Sequence, residues 1–172
     1  MADNETGDST LNAVNGAEFR QAMSRLSQQV HVITSIGPKG RCGVTVTAVA
    51  SVSDDPPTLL FCLNRSSRTF PSFADNKTFC VNTLDSDQTA LADAFAGRGH
   101  LDTDARFALG TWREGTTGSP VLENALATFE CRVTQVIDMA THRIFFGEVE
   151  AVTNGDENAH SLTYYNREYV SL

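Results

Sequence analysis

The sequence predicts a mainly β domain with peripheral helices, arranged as an antiparallel barrel. Three observations carry that expectation. Six or more stretches have the length and alternation of strands, turn signals set neighbouring stretches apart by hairpin-sized gaps, and only two stretches show a helical period. No repeat and no linker divides the 172 residues, which suits one domain with a sizeable core.

The elements follow in order. "MADNETGDSTLNAVNG" is polar and acidic, with neither a basic start nor an apolar centre. It is expected to be a disordered tail over residues 1–15 and not a secretion signal. Asn15, with Glu18 three residues on, predicts a capped helix whose apolar face is Phe19, Met23, Leu26 and Val30. The period then changes. "VHVITSIG" reads as a strand, and "GPKGR" (residues 37–41) as the turn that closes a hairpin. "CGVTVTAVASVS" reads as one strand, with an apolar face and a face of small hydroxyls. Asp54 to Pro57 form a turn, "TLLFCLN" a buried strand and "FCVNTL" another. "DSDQTALADAFAG" predicts a helix on acidic caps that stops at Gly97. Residues 98–118 read as loop around Trp112, and the last third returns to strands.

Composition excludes several function classes. A formal net charge of −8 argues against nucleic acid or an anionic membrane as the main partner. No apolar run approaches the roughly 20 residues that span a bilayer, so a soluble, cytoplasmic protein is expected. Cys42, Cys62, Cys80 and Cys131 have no zinc or CxxC spacing and read as reduced, structural thiols. The histidines are not spaced as metal ligands, and no metal is expected. GxSxG, P-loop, HExxH and GxGxxG patterns are absent, which removes the common hydrolase, NTPase and Rossmann readings.

Two constellations and one histidine carry chemistry. "NRSSRTFPSF" (residues 64–73) places positive charge and hydroxyls in an acidic chain. Ser67 or Thr69 could cap a helix that starts near Phe70, giving backbone donors for an anion beside Arg65 or Arg68. A solvated turn is the plainer alternative. The hydroxyl face around Thr45, Thr47 and Ser51 is either a solvent face or a polar strip against a flat heteroaromatic ring. His142 opens a strand, and a lone histidine is more often structural than catalytic.

Taken together, "GRCGVTVTAVASVSDDPPTLLFCLNRSSRT", "FCVNTL", "FAG", "THRIFFGEV" and "LTYYNREY" resemble the short-chain NAD(P)H:flavin oxidoreductases that supply reduced flavin to two-component monooxygenases. The likeness covers about nine-tenths of the chain, taken as the domain of residues 16–172. It implies a Greek-key-like FMN-binding split β-barrel that works as a homodimer, with FMN or FAD as flavin and NADH or NADPH as hydride donor. It also implies a division of the site. Thr45, Val46, Thr47 and Ala48 would lie along the flavin ring, and Ser51 would reach its polar chain. Asn64, Ser66, Ser67 and Arg68 would surround the phosphate, with Ala96 and Gly97 allowing close approach. His142 would position the nicotinamide, without acting as a nucleophile, and Tyr169 with Arg167 would form the terminal aromatic and basic pair. Many relatives carry Gly-Asp where this chain has Ala140-Thr141. The expected partner is an oxygenase that receives reduced flavin. A corrinoid-type acceptor of cob(II)alamin kind, or flavin binding without turnover, are the alternatives.

Overall fold

A computed structural model describes residues 13–172. The expected tail falls almost wholly on residues 1–12, outside the described residues. Helix α1 (Gly16–Met23) starts as its sequence predicts. The Asn15 side chain accepts from the backbone N–H of Ala17 and Glu18, while the Glu18 carboxylate accepts from the Asn15 N–H at 3.1 Å. It ends earlier than its apolar period. Phe19 and Leu26 are 58% and 52% exposed, and only Val30, beyond the helix, is buried. Periodicity reports an apolar face but not whether the same chain covers it.

Strands β1 (Gln28–Gln29) and β2 (His31–Gly37) follow, then β3 (Gly40–Val46) across the expected hairpin. Here the sequence reading needs its main correction. The stretch from Cys42 to Ser53 is not one strand but two, β3 and β4 (Val49–Asp54), parted at Thr47–Ala48. β3 pairs with β2, whereas β4 pairs with β5 (Pro57–Asn64). The apolar alternation runs straight through the break, and no Gly or Pro marks it. The bend is imposed by two different partners, which local sequence does not record.

After α2 (Phe70–Phe73) and β6 (Thr78–Thr83), a 3-10 turn capped by Asp85 leads into α3 (Thr89–Phe95). Gly97, at φ 87°, takes the left-handed conformation that ends the helix without a Cβ penalty. Residues 98–118, expected as loop, hold α4 (Thr103–Phe107) and β7 (Trp112–Glu114), which pairs with β8 (Pro120–Leu122). Elements this short leave too few periodic positions to be recognised. Long strands β9 (Ala127–Met139) and β10 (His142–Asn154) form a hairpin, and β11 (Leu162–Tyr165) and β12 (Glu168–Ser171) a smaller one.

Seven strands make one antiparallel sheet in the order β3-β2-β6-β9-β10-β5-β4. Its two edges are consecutive in sequence, so the two residues Thr47–Ala48 join edge to edge and roll the sheet into a barrel. The interior holds Phe61, Phe73, Phe79 and Phe145 with Ile33, Val81 and Cys131. A second core lies where Val30 and Val32 meet Phe95, Phe107, Leu122 and Leu162. β2 is therefore buried on both faces, Ile33 towards the first core and Val32 towards the second. Cys42, Cys80 and Cys131 are buried, and all four cysteines are free thiols, as their spacing implied.

His31 sits in this framework with Nδ1 3.2 Å from the Thr83 hydroxyl. Burial lowers its pKa from 6.5 to about 4. The unfolded chain thus binds a proton near 6.5 that the folded chain refuses until about 4. Stability is complete above that interval and falls as pH drops through it, by about 3 kcal/mol at most. Denaturant unfolding at pH 7 and 4.5 should show this loss, and His31→Gln should remove most of the slope.

Candidate functional site

The bend at Thr47–Ala48 is also where a cavity opens. One wall is Val44 to Ala48, the other Cys62 to Asn64 at the end of β5, and the volume is about 440 Å³. Val30, Tyr164 and Tyr169 close it from the second core, while Ala96 and Arg98, just after α3, and His142, at the start of β10, reach it from two further segments. A chamber of about 350 Å³ adjoins it through Val44, Thr45, Asn64, Ser67 and Ala96, and adds Ser66, Arg68, Gly97 and Arg106. Cavities of this size and mixed lining suit a small planar ligand with a polar tail.

β3 is held at the cavity by α3. A Cβ at Gly43 would collide with the Phe95 ring, and the Thr45 hydroxyl donates to the Ala92 carbonyl at 2.6 Å. The Thr47 hydroxyl donates to Gln28 Oε1 at 3.0 Å. Both hydroxyls are therefore committed inside the protein, contrary to the idea of a strip of free side-chain donors. What β3 still offers is backbone, because an edge strand has one row of N–H and C=O groups without a strand partner. Ser51 is exposed on β4 and lines neither chamber.

The polar end is built around Asn64. Its Oδ1 accepts from the Ser66 N–H at 2.9 Å and from the Ser66 hydroxyl at 2.8 Å, and its carbonyl accepts from the Ser67 N–H. The expected helix cap is absent. α2 is a single turn, Thr69 makes no side-chain cap, and Ser67 Oγ instead accepts from the Thr69 N–H at 3.3 Å. The donors at this end are side chains and loop N–H groups, not a capped helix terminus. The Arg68 guanidinium lies beside Gly97, where an added Cβ would be 3.4 Å from it. Among the described residues Arg68 has no carboxylate in ion-pair range. Arg65 lines neither chamber.

His142 stands opposite Asn64 in the β10–β5 register. The Arg65 N–H donates to the Thr141 carbonyl, which ties the loop after Asn64 to the turn before His142. The Thr141 hydroxyl is 2.8 Å from His142 Nδ1 and holds the ring. Ala140 sits at φ 49°, in the left-handed region that favours glycine.

At the far wall Tyr164 and Tyr169 pack edge to face, 5.5 Å between centroids. Burial first, and then the Asp93 carboxylate, push the Tyr169 phenol up to about 12, so it stays a neutral donor. Its cationic neighbour is Arg98, 5.8 Å over the ring and paired with Asp93 at 2.8 Å. Arg167 lies instead in the β11–β12 turn, donating to Gln21 Oε1 at 3.1 Å, outside both chambers. Of the fourteen residues singled out from sequence, twelve line the two chambers; Ser51 and Arg167 do not. Sequence reasoning missed Val44, Cys62 and Leu63, which neighbour residues it chose, and Val30, Arg98 and Tyr164, which reach the cavity from other segments. The Cys62 thiol is raised by burial and is an apolar wall, not a nucleophile.

Residues 23–172 match the family model described as the flavin reductase like domain. The chain is 43% identical over 165 residues to the FMN reductase (NADH) RutF of Escherichia coli O1:K1, covering 96% of this chain and 85% of that protein. Among solved structures it is similar to BorF, the flavin reductase component of a bacterial two-component tryptophan halogenase, with TM-score 0.83 and 28% identity over 92% of this chain and 98% of that one. It is also similar to the NADH:FAD oxidoreductase SgcE6 of Streptomyces globisporus, solved with NAD and FAD fragments, with TM-score 0.82 and 25% identity over 91% and 92% of the two chains. No helix among the described residues is long and apolar enough to cross a membrane.

Proposed function

The chain belongs to the flavin reductase like family, and we propose that it is an NADH-dependent flavin reductase that passes reduced flavin to an oxygenase. The single observation that carries this is the two-chambered cavity, apolar and aromatic along the bend and cationic at Arg68. That shape suits a flat ring with a phosphate tail, and the residues present fit the group. When bound, the flavin supplies the two-electron chemistry by accepting hydride from the nicotinamide.

The protein's own residues bind and orient. Asn64, Ser66, Ser67 and Arg68 hold the phosphate, and the backbone of Val46 to Ala48 supplies donors along the ring edge. His142, fixed by Thr141, positions the nicotinamide on the exposed face. Holding two planar rings in reactive contact contributes up to about 7–11 kcal/mol to such a reaction. No side chain serves as a nucleophile.

A homodimer goes with this reading. Beyond Val133, β9 pairs only with β10, and its exposed Val136, Ile137 and Met139 lie on that free edge. A partner copy would cover them, and sedimentation of the purified chain checks it.

The direct test is NADH oxidation with added FMN. Turnover that saturates in FMN is expected. Tight flavin with activity only on a metal-centred acceptor would favour the corrinoid alternative, and flavin binding with no NADH oxidation would leave a carrier.

A further inference from the structure

The chamber along the bend holds one permanent charge. Among the described residues that line it, Arg98 alone is an Arg, Lys, Asp or Glu, and His142 is the one histidine. The two arginines of the neighbouring chamber, Arg68 and Arg106, stand at the polar end instead. Whatever ring lies along Val44 to Ala48 therefore feels Arg98 as its main fixed charge.

That charge is held and partly cancelled. Arg98 stands between Gly97 and Gly99, whose φ angles of 87° and 74° turn the chain back towards the helix it has just left. Arg98 Nη1 donates to Asp93 Oδ1 on α3 at 2.8 Å, and the guanidinium lies 5.8 Å over the Tyr169 ring. Tyr169 is pinned in turn against Tyr164, both of them chamber walls. Asp93 itself lines neither chamber, so it reaches a guest only through its partners. The Tyr169 phenol, kept neutral by burial and by Asp93, adds no charge of its own. One carboxylate thus sets both where the guanidinium points and how much of its charge is left over.

A ring that accepts a hydride gains one negative charge, and a nearby cation favours that form over the uncharged one. We infer that Asp93 is a positioning residue that sets, through Arg98, how tightly the chamber holds the reduced ring relative to the oxidised one. The inference rests on the flavin reading of the cavity. A bare arginine would favour the reduced form more strongly and hold it back; the paired one moderates that preference. The Arg98 side chain is 59% exposed, so water screens part of its field and the effect is severalfold in affinity.

The test needs no turnover. The Kd of oxidised FMN is measured by fluorescence, and the midpoint potential of bound FMN by anaerobic reductive titration against a reference dye; together they give the Kd of the reduced form. Arg98→Met should weaken reduced FMN about fivefold relative to oxidised, which lowers the bound potential by about 20 mV. Asp93→Asn should act in the opposite sense, tightening reduced FMN about threefold relative to oxidised and raising the potential by about 14 mV. Arg98→Lys, which keeps the charge, should stay within twofold of the wild-type ratio. Shifts of the same sign in Arg98→Met and Asp93→Asn would overturn the inference, as would equal losses for both redox forms, the mark of a purely structural role. No shift in either variant would overturn it too, with the reductase reading intact. Failure of the wild type to bind oxidised FMN would remove the flavin reading itself and this inference with it.

Discussion

Arg68→Glu should raise the Kd for FMN about 100-fold while changing that for riboflavin less than about threefold. Riboflavin lacks only the phosphate, so the ratio isolates the contact from any general loosening of the site. A charge-assisted hydrogen bond contributes about 1.5–3 kcal/mol, and placing a like charge in its stead adds repulsion; about 3 kcal/mol in total corresponds to the stated factor. Arg68 is the residue to reverse because its guanidinium lies beside Gly97 on the chamber wall, with no carboxylate partner among the described residues. Arg65→Glu, on a residue that lines neither chamber, should leave the FMN Kd within about threefold. Equal losses for FMN and riboflavin in Arg68→Glu would place the phosphate elsewhere.

Phe61→Ala should cost about 3–5 kcal/mol of folding stability and lower Tm by about 10 °C. Phe61 is fully buried and sits among three other rings. It stacks on Phe145 at 4.8 Å with an interplanar angle of 4°, and meets Phe79 at 4.8 Å and Phe73 at 6.1 Å edge to face. Truncation removes the contacts of all three partners at once, and strands on either side limit how far the space can collapse. Phe61→Leu, which keeps more of the volume, should lose less than half as much. Thermal and denaturant unfolding of both variants measure this. A loss under about 1 kcal/mol for the alanine variant would mean that the four rings are not a tightly packed unit.

Much of this was legible in the sequence wherever structure is set by near neighbours. Asn15 and Glu18 announce their capping box, Gly37 to Gly40 announce a hairpin, and Gly97 announces the end of α3. Each signal lies within a few residues of its effect. The bend at Thr47–Ala48 was not legible, because it follows from β3 and β4 having different partners far along the chain. The phosphate-side residues were recognisable as a cluster of donors within one short segment. Their supposed helix cap was not there, since one turn of helix after Thr69 is decided by packing of Phe70 and Phe73 more than by the cap residue. The hydroxyls of Thr45 and Thr47 could be counted but not aimed, and it took Ala92 and Gln28 to claim them. Arg98 and Tyr164 were invisible for a related reason: each becomes part of the site only when three separate segments converge.

The joining of opposite sheet edges by two residues has a mechanical side. Elsewhere neighbouring strands are laced by a ladder of backbone bonds, but the two edge strands β3 and β4 share no ladder among the described residues, and the Cys62 N–H to Ala48 carbonyl bond, at 3.0 Å, only continues the β4–β5 register up to the bend. A cylinder with one lightly stitched edge yields along that line before it yields anywhere else. In the proposed reading, the ring of a guest laid there would act as a splint between the two banks, while Asn64 to Arg68, hanging from one bank only, would grip its tail. Admission and release would then need only the seam to slacken, with the aromatic interior undisturbed, which suits the proposed hand-over of reduced flavin.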